Sequence, residues 1–461
     1  MTGIASSLRL PHRPRPHTAR DRNNRENTMP VISRRTAVAG MTTAAGMLAA
    51  PAILRAQQVK ELSFYYPVTV SAPMAAIIAE YCEQYAKATG ISVKPTYAGN
   101  YQDTLTKAVT AIRGGNGPQF SIMLTADIHT LQALDVIVPL DEIGLDKAAR
   151  DWLASFWPAF MFNTRIGGKT WSVPFQRSVM VMFYNKAAFA KAGLDPDHYP
   201  TDWKSQALAA QKLTNRQGSA PMWGIELPAD ISNGHWTFGA LCGSNNFDLM
   251  NDAGTKVFYN APKAIEALDY WVSLSKTYNA TPPGVSAWPT LVPSFLRGDT
   301  AIIVTSTGNL ATITANAKFP FDIALPAGNL HPGSVVGGGN LYIFKHASHA
   351  ERQAALRFAQ WLTAPDRAAD WSTRTGYVCV TQPAFDTPTM KAYIEKNPAA
   401  ARPKSFLPAA HGELSTFQDA RVQTVLENHI AAALSGNETP AAALKAAQAE
   451  ADGILRRYQH A

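Results

Sequence analysis

The chain has 461 residues, 46% of them apolar, with 42 Lys and Arg against 34 Asp and Glu and a formal net charge of +8. Residues 1–56 hold nine of the arginines, no lysine and two acids, Asp21 and Glu26, so the remainder carries 33 basic and 32 acidic residues, a net of +1. That balance excludes a broad basic face for nucleic acid. At roughly 405 residues the remainder is too long for one hydrophobic core, which sets an expectation of two or three domains.

The pair Arg34-Arg35 precedes an apolar stretch, Thr36 to Ala50, followed by Pro51 to Ala56. A basic segment, a short apolar core and a small residue at the end make an export signal of the twin-arginine kind. The core falls short of the roughly twenty residues that span a bilayer. Met29 is an ordinary start for such a signal, so residues 1–28 read as preceding the true start, with a disordered extension as the alternative. Export puts the chain in the periplasm. Cys82, Cys242 and Cys379 form no metal spacing and no disulfide framework, and three buried thiols are expected.

Glu61 to Pro67 reads as a strand, Met74 to Gly90 as an amphipathic helix closed by its glycine, and Ile91 to Thr96 as a second strand. A helix from Tyr101 to Ile112, a strand from Phe120 to Leu124 and a short helix from Ile128 to Leu134 continue the alternation, which implies an α/β layer with a parallel sheet. Arg165 to Trp171 is a hairpin turning at Gly167-Gly168. Further strands are expected at Val179–Asn185, Ala301–Thr305 and Gly339–Phe344, with helices at Lys186–Ala192, Trp203–Arg216 and Pro262–Tyr278. From His349 onward the pattern is mostly helical.

No His-Glu-x-x-His, zinc-type His/Cys pair or Gly-x-Ser-x-Gly elbow occurs, so no catalytic residue and no metal or cofactor site is assigned. Gly168-Lys169-Thr170 ends like a phosphate loop, but Asn163 stands where the first glycine belongs and a hairpin follows instead of a helix.

Several segments together carry a resemblance. Tyr184-Asn185-Lys186-Ala187-Ala188-Phe189, Ala192-Gly193-Leu194-Asp195-Pro196 and Phe295-Leu296-Arg297-Gly298-Asp299 resemble the extracellular solute-binding proteins of ABC importers, the maltose-binding-protein-like group. Tyr97 to Tyr101, Gly337-Gly338-Gly339-Asn340, Trp371 to Tyr377 and Gln418 to Val422 are similar to the glycerol-3-phosphate-binding branch of that family. The similarity covers essentially residues 60–458.

The resemblance implies an α/β fold of two lobes with hinge crossings near residues 170, 299 and 346. One lobe would comprise 57–170 plus 300–345, the other 171–299 plus 346–461. It implies no enzyme activity, a small phosphorylated ligand in the cleft, a monomer, and transient docking on a permease and its ATPase. Residue by residue, Ser178 and Ser306 take the positions of serine donors to a phosphate, Gly338 that of a backbone N–H left open to close approach, and Tyr377 that of a phenolic donor. Arg421 takes the position of a guanidinium fork suited to two phosphate oxygens. Tyr101 matches a tyrosine near the glycerol hydroxyls. Leaving Tyr101 aside, the five donors on the phosphate side, without an acid among them, make a plausible cage for a dianion, and Arg421→Ala is expected to cost more than about 2 kcal/mol of binding. Taken singly, each has an ordinary alternative as a loop, turn, packing or surface residue.

The glycerol side departs from the family. Thr125 stands where an acid is usual, and a hydroxyl accepts hydrogen bonds less strongly than a carboxylate. Asp127 substitutes if the loop is shifted, and Thr125→Glu is expected to improve glycerol-3-phosphate binding. Arg177 replaces a small polar residue and either adds an anion contact or points to solvent. These departures open the choice to glycerophosphodiesters, other phosphorylated polyols and phosphonates. A neutral oligosaccharide, with Trp223, Trp236 or Trp288 as stacking surface, and a secreted phosphoesterase are the rival readings.

Overall fold

The computed structural model describes residues 59–68, 73–217 and 221–459. The expected export signal and start position lie outside the described residues. The strands are β1 (Glu61–Tyr66), β2 (Ser92–Tyr97), β3 (Phe120–Leu124), β4 (Arg165–Ile166), β5 (Lys169–Thr170), β6 (Val173–Asn185), β7 (Trp223–Glu226), β8 (Thr300–Ser306), β9 (Phe321–Ala324), β10 (Ser334–Ile343) and β11 (Ala410–His411).

Local chemistry places the first elements where the sequence put them. The helix Met74–Thr89 stops at Gly90, whose φ of 75° is the left-handed cap that a glycine takes without strain. The helix Tyr101–Arg113 starts on a reciprocal cap, the Asn100 side chain accepting from the Asp103 N–H while the Asp103 side chain accepts from that of Asn100. Gly167 and Gly168, at φ 58° and 75°, turn the β4–β5 hairpin.

The nine-stranded sheet runs β2-β1-β3-β10-β6-β8-β7, with β11 beside β10 and β9 beside β6. The β2-β1-β3 end is parallel, as expected, and so is the β8-β7 pair. Between them β10 runs antiparallel to β3 and β6, and β6 antiparallel to β8 and β9, so the sheet is mixed. β6 is the link. Val173 to Val179 pair with β10, and Met180 to Asn185 pair with β8 and β9.

Two long strands begin earlier than their sequence suggests. Pro174 argues against a strand because it has no N–H, yet it pairs with Asn340 beside the register shift at Gly339, where the ladder is already irregular. Gly337 and Gly338, ahead of the strand expected from Gly339, already lie inside β10.

Side chains pack in two main clusters. Val179, Val181 and Phe183 face one, with Phe64, Phe120, Phe358 and Trp371; Met180, Met182 and Tyr184 face the other, with Trp203, Leu268 and Leu426. The alternation along β6 thus serves both. Side chains between Ala354 and Ala410 join the first cluster, and those between Leu414 and Leu455 the second. Among the described residues no helix is long and apolar enough to cross a membrane. Cys82, Cys242 and Cys379 are free and buried, as expected.

Candidate functional site

Five of the residues singled out in the sequence line one cavity of about 490 Å³: Tyr101, Ser178, Ser306, Gly338 and Tyr377. They come from five separate segments. Ser178 sits on β6 opposite Gly337 of β10, and Ser306 closes β8 opposite Met180. The Ser306 oxygen accepts from the Gly308 N–H, which leaves its hydroxyl hydrogen to aim elsewhere. Tyr377 follows Gly376, the left-handed cap of the helix Pro365–Thr375, and its ring lies 6.0 Å from that of Trp371, nearly parallel. Tyr101 begins its helix and donates from its hydroxyl to Gln176 at 3.3 Å.

The glycines of β10 have steric reasons. Gly338 has φ 103°, and a Cβ there would lie 1.9 Å from the Gln176 carbonyl oxygen. A Cβ on Gly337 would meet the Trp236 indole at 2.7 Å. The two glycines bring Trp236 and a bare stretch of backbone to the cavity wall.

Asp230 and Glu413 also line the cavity, and among the described residues no Lys or Arg does. Its cation is His235, which is buried between two carboxylates, with Nδ1 at 2.8 Å from Glu427 and Nε2 at 3.6 Å from Glu413. Burial alone would lower its pKa, but the two flanking carboxylates outweigh burial and push it up to about 10. The sequence held no signal for this group, because its members lie at positions 235, 413 and 427 and meet only in the fold. Of the three candidate stacking residues, Trp236 and Trp288 line the cavity with centroids 5.7 Å apart. Trp223 does not line it and carries the Arg216 guanidinium 4.3 Å above its ring.

Three expected site residues stand elsewhere. Thr125 is fully buried behind the wall and donates its hydroxyl to Glu413 at 2.8 Å, so that hydroxyl is already engaged. Asp127, also buried, has its carboxyl pushed up to about 8 by burial and by the nearby Glu413, and it does not replace Thr125 at the wall. Arg177 does not take the solvent-facing course. It lies on the strand next to Ser178, is 0% exposed, points to no solvent, and has its guanidinium carbon 5.5 Å from the Phe160 ring.

Arg421 is exposed near the start of the helix Asp419–Ser435. It lines an adjoining cavity of about 910 Å³, which shares Gln102, Ile231, Ser232 and Gln423 with the first. Exposure to water removes the basis for the cost expected of a buried charge pair.

A family model described as bacterial extracellular solute-binding protein matches residues 80–401. The chain is 27% identical over 387 residues to the sn-glycerol-3-phosphate-binding periplasmic protein UgpB of Pectobacterium atrosepticum, which covers 80% of this chain and 86% of that protein. Among solved structures it is similar to UgpB from Mycobacterium tuberculosis in complex with glycerophosphocholine, with a TM-score of 0.75, 22% identity, and 86% of this chain and 99% of that one covered. It is also similar to the cyclic alpha-maltosyl-1,6-maltose binding protein from Arthrobacter globiformis, with a TM-score of 0.73, 22% identity, and 87% and 100% covered. At these identities the structural likenesses show the fold, the two-lobed α/β architecture that the sequence resemblance implied.

Proposed function

The chain belongs to the bacterial extracellular solute-binding protein family, and on that premise we propose that it captures a glycerophosphodiester or sn-glycerol 3-phosphate for import. It is a solute-binding component of an ABC transporter. One observation carries the ligand reading: Tyr101, Ser178, Ser306, Gly338 and Tyr377 converge on a single cavity. Hydroxyl and backbone N–H donors are what a phosphate needs when no water remains to solvate it.

The two carboxylates in the wall favour a diester over a monoester. A diester brings one negative charge and a monoester close to two, and each added charge is repelled by Asp230 and Glu413. The relative from Mycobacterium tuberculosis was solved with a glycerophosphodiester, glycerophosphocholine. Arg421 acts from the adjoining cavity as an outer attraction for the anion. The lobes close on the ligand because its contacts are better made in the closed form, and a permease with its ATPase reads that form. The chain works as a monomer in the periplasm after twin-arginine export.

A second reading has one observation in its favour. Trp236 and Trp288 line the cavity as a stacking surface suited to a neutral oligosaccharide. Calorimetric titration against glycerophosphocholine, sn-glycerol 3-phosphate and maltose separates the two. Tight binding of a phosphorylated ligand, with the diester ahead of the monoester, is the expected result. Binding of maltose alone would discard the phosphate reading and leave the fold standing.

A further inference from the structure

Beneath the cavity lies a charged group that the phosphate reading does not use. Arg177 is 0% exposed, and none of its three guanidinium nitrogens has a hydrogen-bond partner. A buried cation left without acceptors destabilises the fold, much as breaking a buried ion pair does. The carboxylate that attracts it is Glu413. Glu413 is 3% exposed yet lines the cavity. One oxygen accepts from the Thr125 hydroxyl, and the other faces His235 Nε2, itself without a hydrogen-bond partner, at 3.6 Å.

The segment that carries Glu413 is pinned on both sides. Asn163 donates to the Glu413 carbonyl at 2.9 Å, and the Ser415 hydroxyl donates to the Ala126 carbonyl at 2.7 Å. A carboxylate offers about four lone-pair positions, and Thr125 takes one. The remaining capacity is fixed in place at the cavity wall, which is the preorganisation a selective contact needs.

We infer that Glu413 is the specificity-determining residue for the hydroxyl-bearing part of the ligand, and that Arg177 and His235 are positioning residues for its carboxylate. The inference rests on the proposed function for the identity of the ligand. Glu413 accepts hydrogen bonds from ligand hydroxyls, and Thr125 orients it. His235, pushed up to about 10, stays cationic at neutral pH, as does Arg177, which burial lowers to about 10 against the pull of Glu413. Two cations flanking one carboxylate hold it where a ligand hydroxyl meets it.

The test is calorimetric titration of the wild type, Glu413→Gln, Glu413→Asp and Arg177→Met with glycerophosphocholine, sn-glycerol 3-phosphate, inorganic phosphate and maltose. Glu413→Gln should weaken the glycerol-bearing ligands at least tenfold and change inorganic phosphate less than twofold, with Glu413→Asp between wild type and Gln. Arg177→Met should weaken the glycerol-bearing ligands about fivefold, again sparing inorganic phosphate. Unchanged affinity for every ligand in Glu413→Gln, or an equal loss for inorganic phosphate, overturns the inference and leaves the proposed function intact. A wild type that binds only maltose overturns the phosphate reading. In that case a Glu413→Gln protein with wild-type affinity for maltose overturns the inference as well. A wild type that binds none of the four overturns both.

Discussion

The cavity has two kinds of wall, and adjacent residues of one strand serve both. Ser178 belongs to a neutral wall shared with Ser306 and Gly338, whose groups are set by the β10-β6-β8 ladder. Arg177 belongs to a charged group shared with His235, Glu413 and Glu427, which arrive from a strand, a buried helix, a loop and a late helix. Backbone pairing fixes the neutral wall in place, so its cost is small. Mutual attraction among desolvated ions fixes the charged group, so losing one member strands the others. The difference teaches that the neutral wall should tolerate single changes in stability and lose affinity, whereas the charged group should lose both.

The sharpest way to break that contrast is Glu427→Leu, which removes the closer partner of His235. It should lower unfolding free energy by roughly 3 kcal/mol in urea titration. A loss below about 1 kcal/mol would mean the group is no more costly to disturb than the wall. The pH dependence bears on the same point. His235 is held above its unfolded value of 6.5, so its contribution is complete below pH 6.5 and lost as pH rises towards about 10. Asp127, raised from 3.8 to about 8, likewise favours the protonated form, and its contribution is lost as pH rises from 3.8 to about 8. Stability should therefore fall from pH 6.5 to pH 10, and a rising melting temperature over that range would contradict both assignments.

Thr125→Glu sharpens the comparison from the other side. The sequence argument expected a gain, but Thr125 lies buried against Glu413. A second carboxylate there meets a like charge at hydrogen-bond distance, so affinity for sn-glycerol 3-phosphate should drop at least tenfold, about 1.4 kcal/mol or more. A smaller effect is expected in the neutral wall. Ser178→Ala should weaken a phosphorylated ligand by about 1 kcal/mol, roughly fivefold, with an unchanged unfolding midpoint. The smallest effect belongs to Arg421. Arg421→Ala should cost less than about 1 kcal/mol, and the loss should vanish at high salt because the side chain is exposed. A large, salt-insensitive loss would show that Arg421 is enclosed with the ligand.

The sequence by itself determined the elements whose signals are local. Gly90, Gly167 and Gly168 mark stops and turns through their own backbone freedom, and the short apolar run of Phe120 to Leu124 needs no distant partner to be read as a strand. Family likeness also named Tyr101, Ser178, Ser306, Gly338 and Tyr377, which the fold brings to one cavity. Only the tertiary structure decided what could not be local. It extended β6 through Pro174 because β10 is irregular opposite it. It turned Thr125 away from the cavity because Glu413, 288 positions later, takes its hydroxyl. It joined His235 to Glu427 across 192 positions. A charge in water needs no partner, but a charge taken out of water does, and which residues leave the water together is settled by packing of the whole chain.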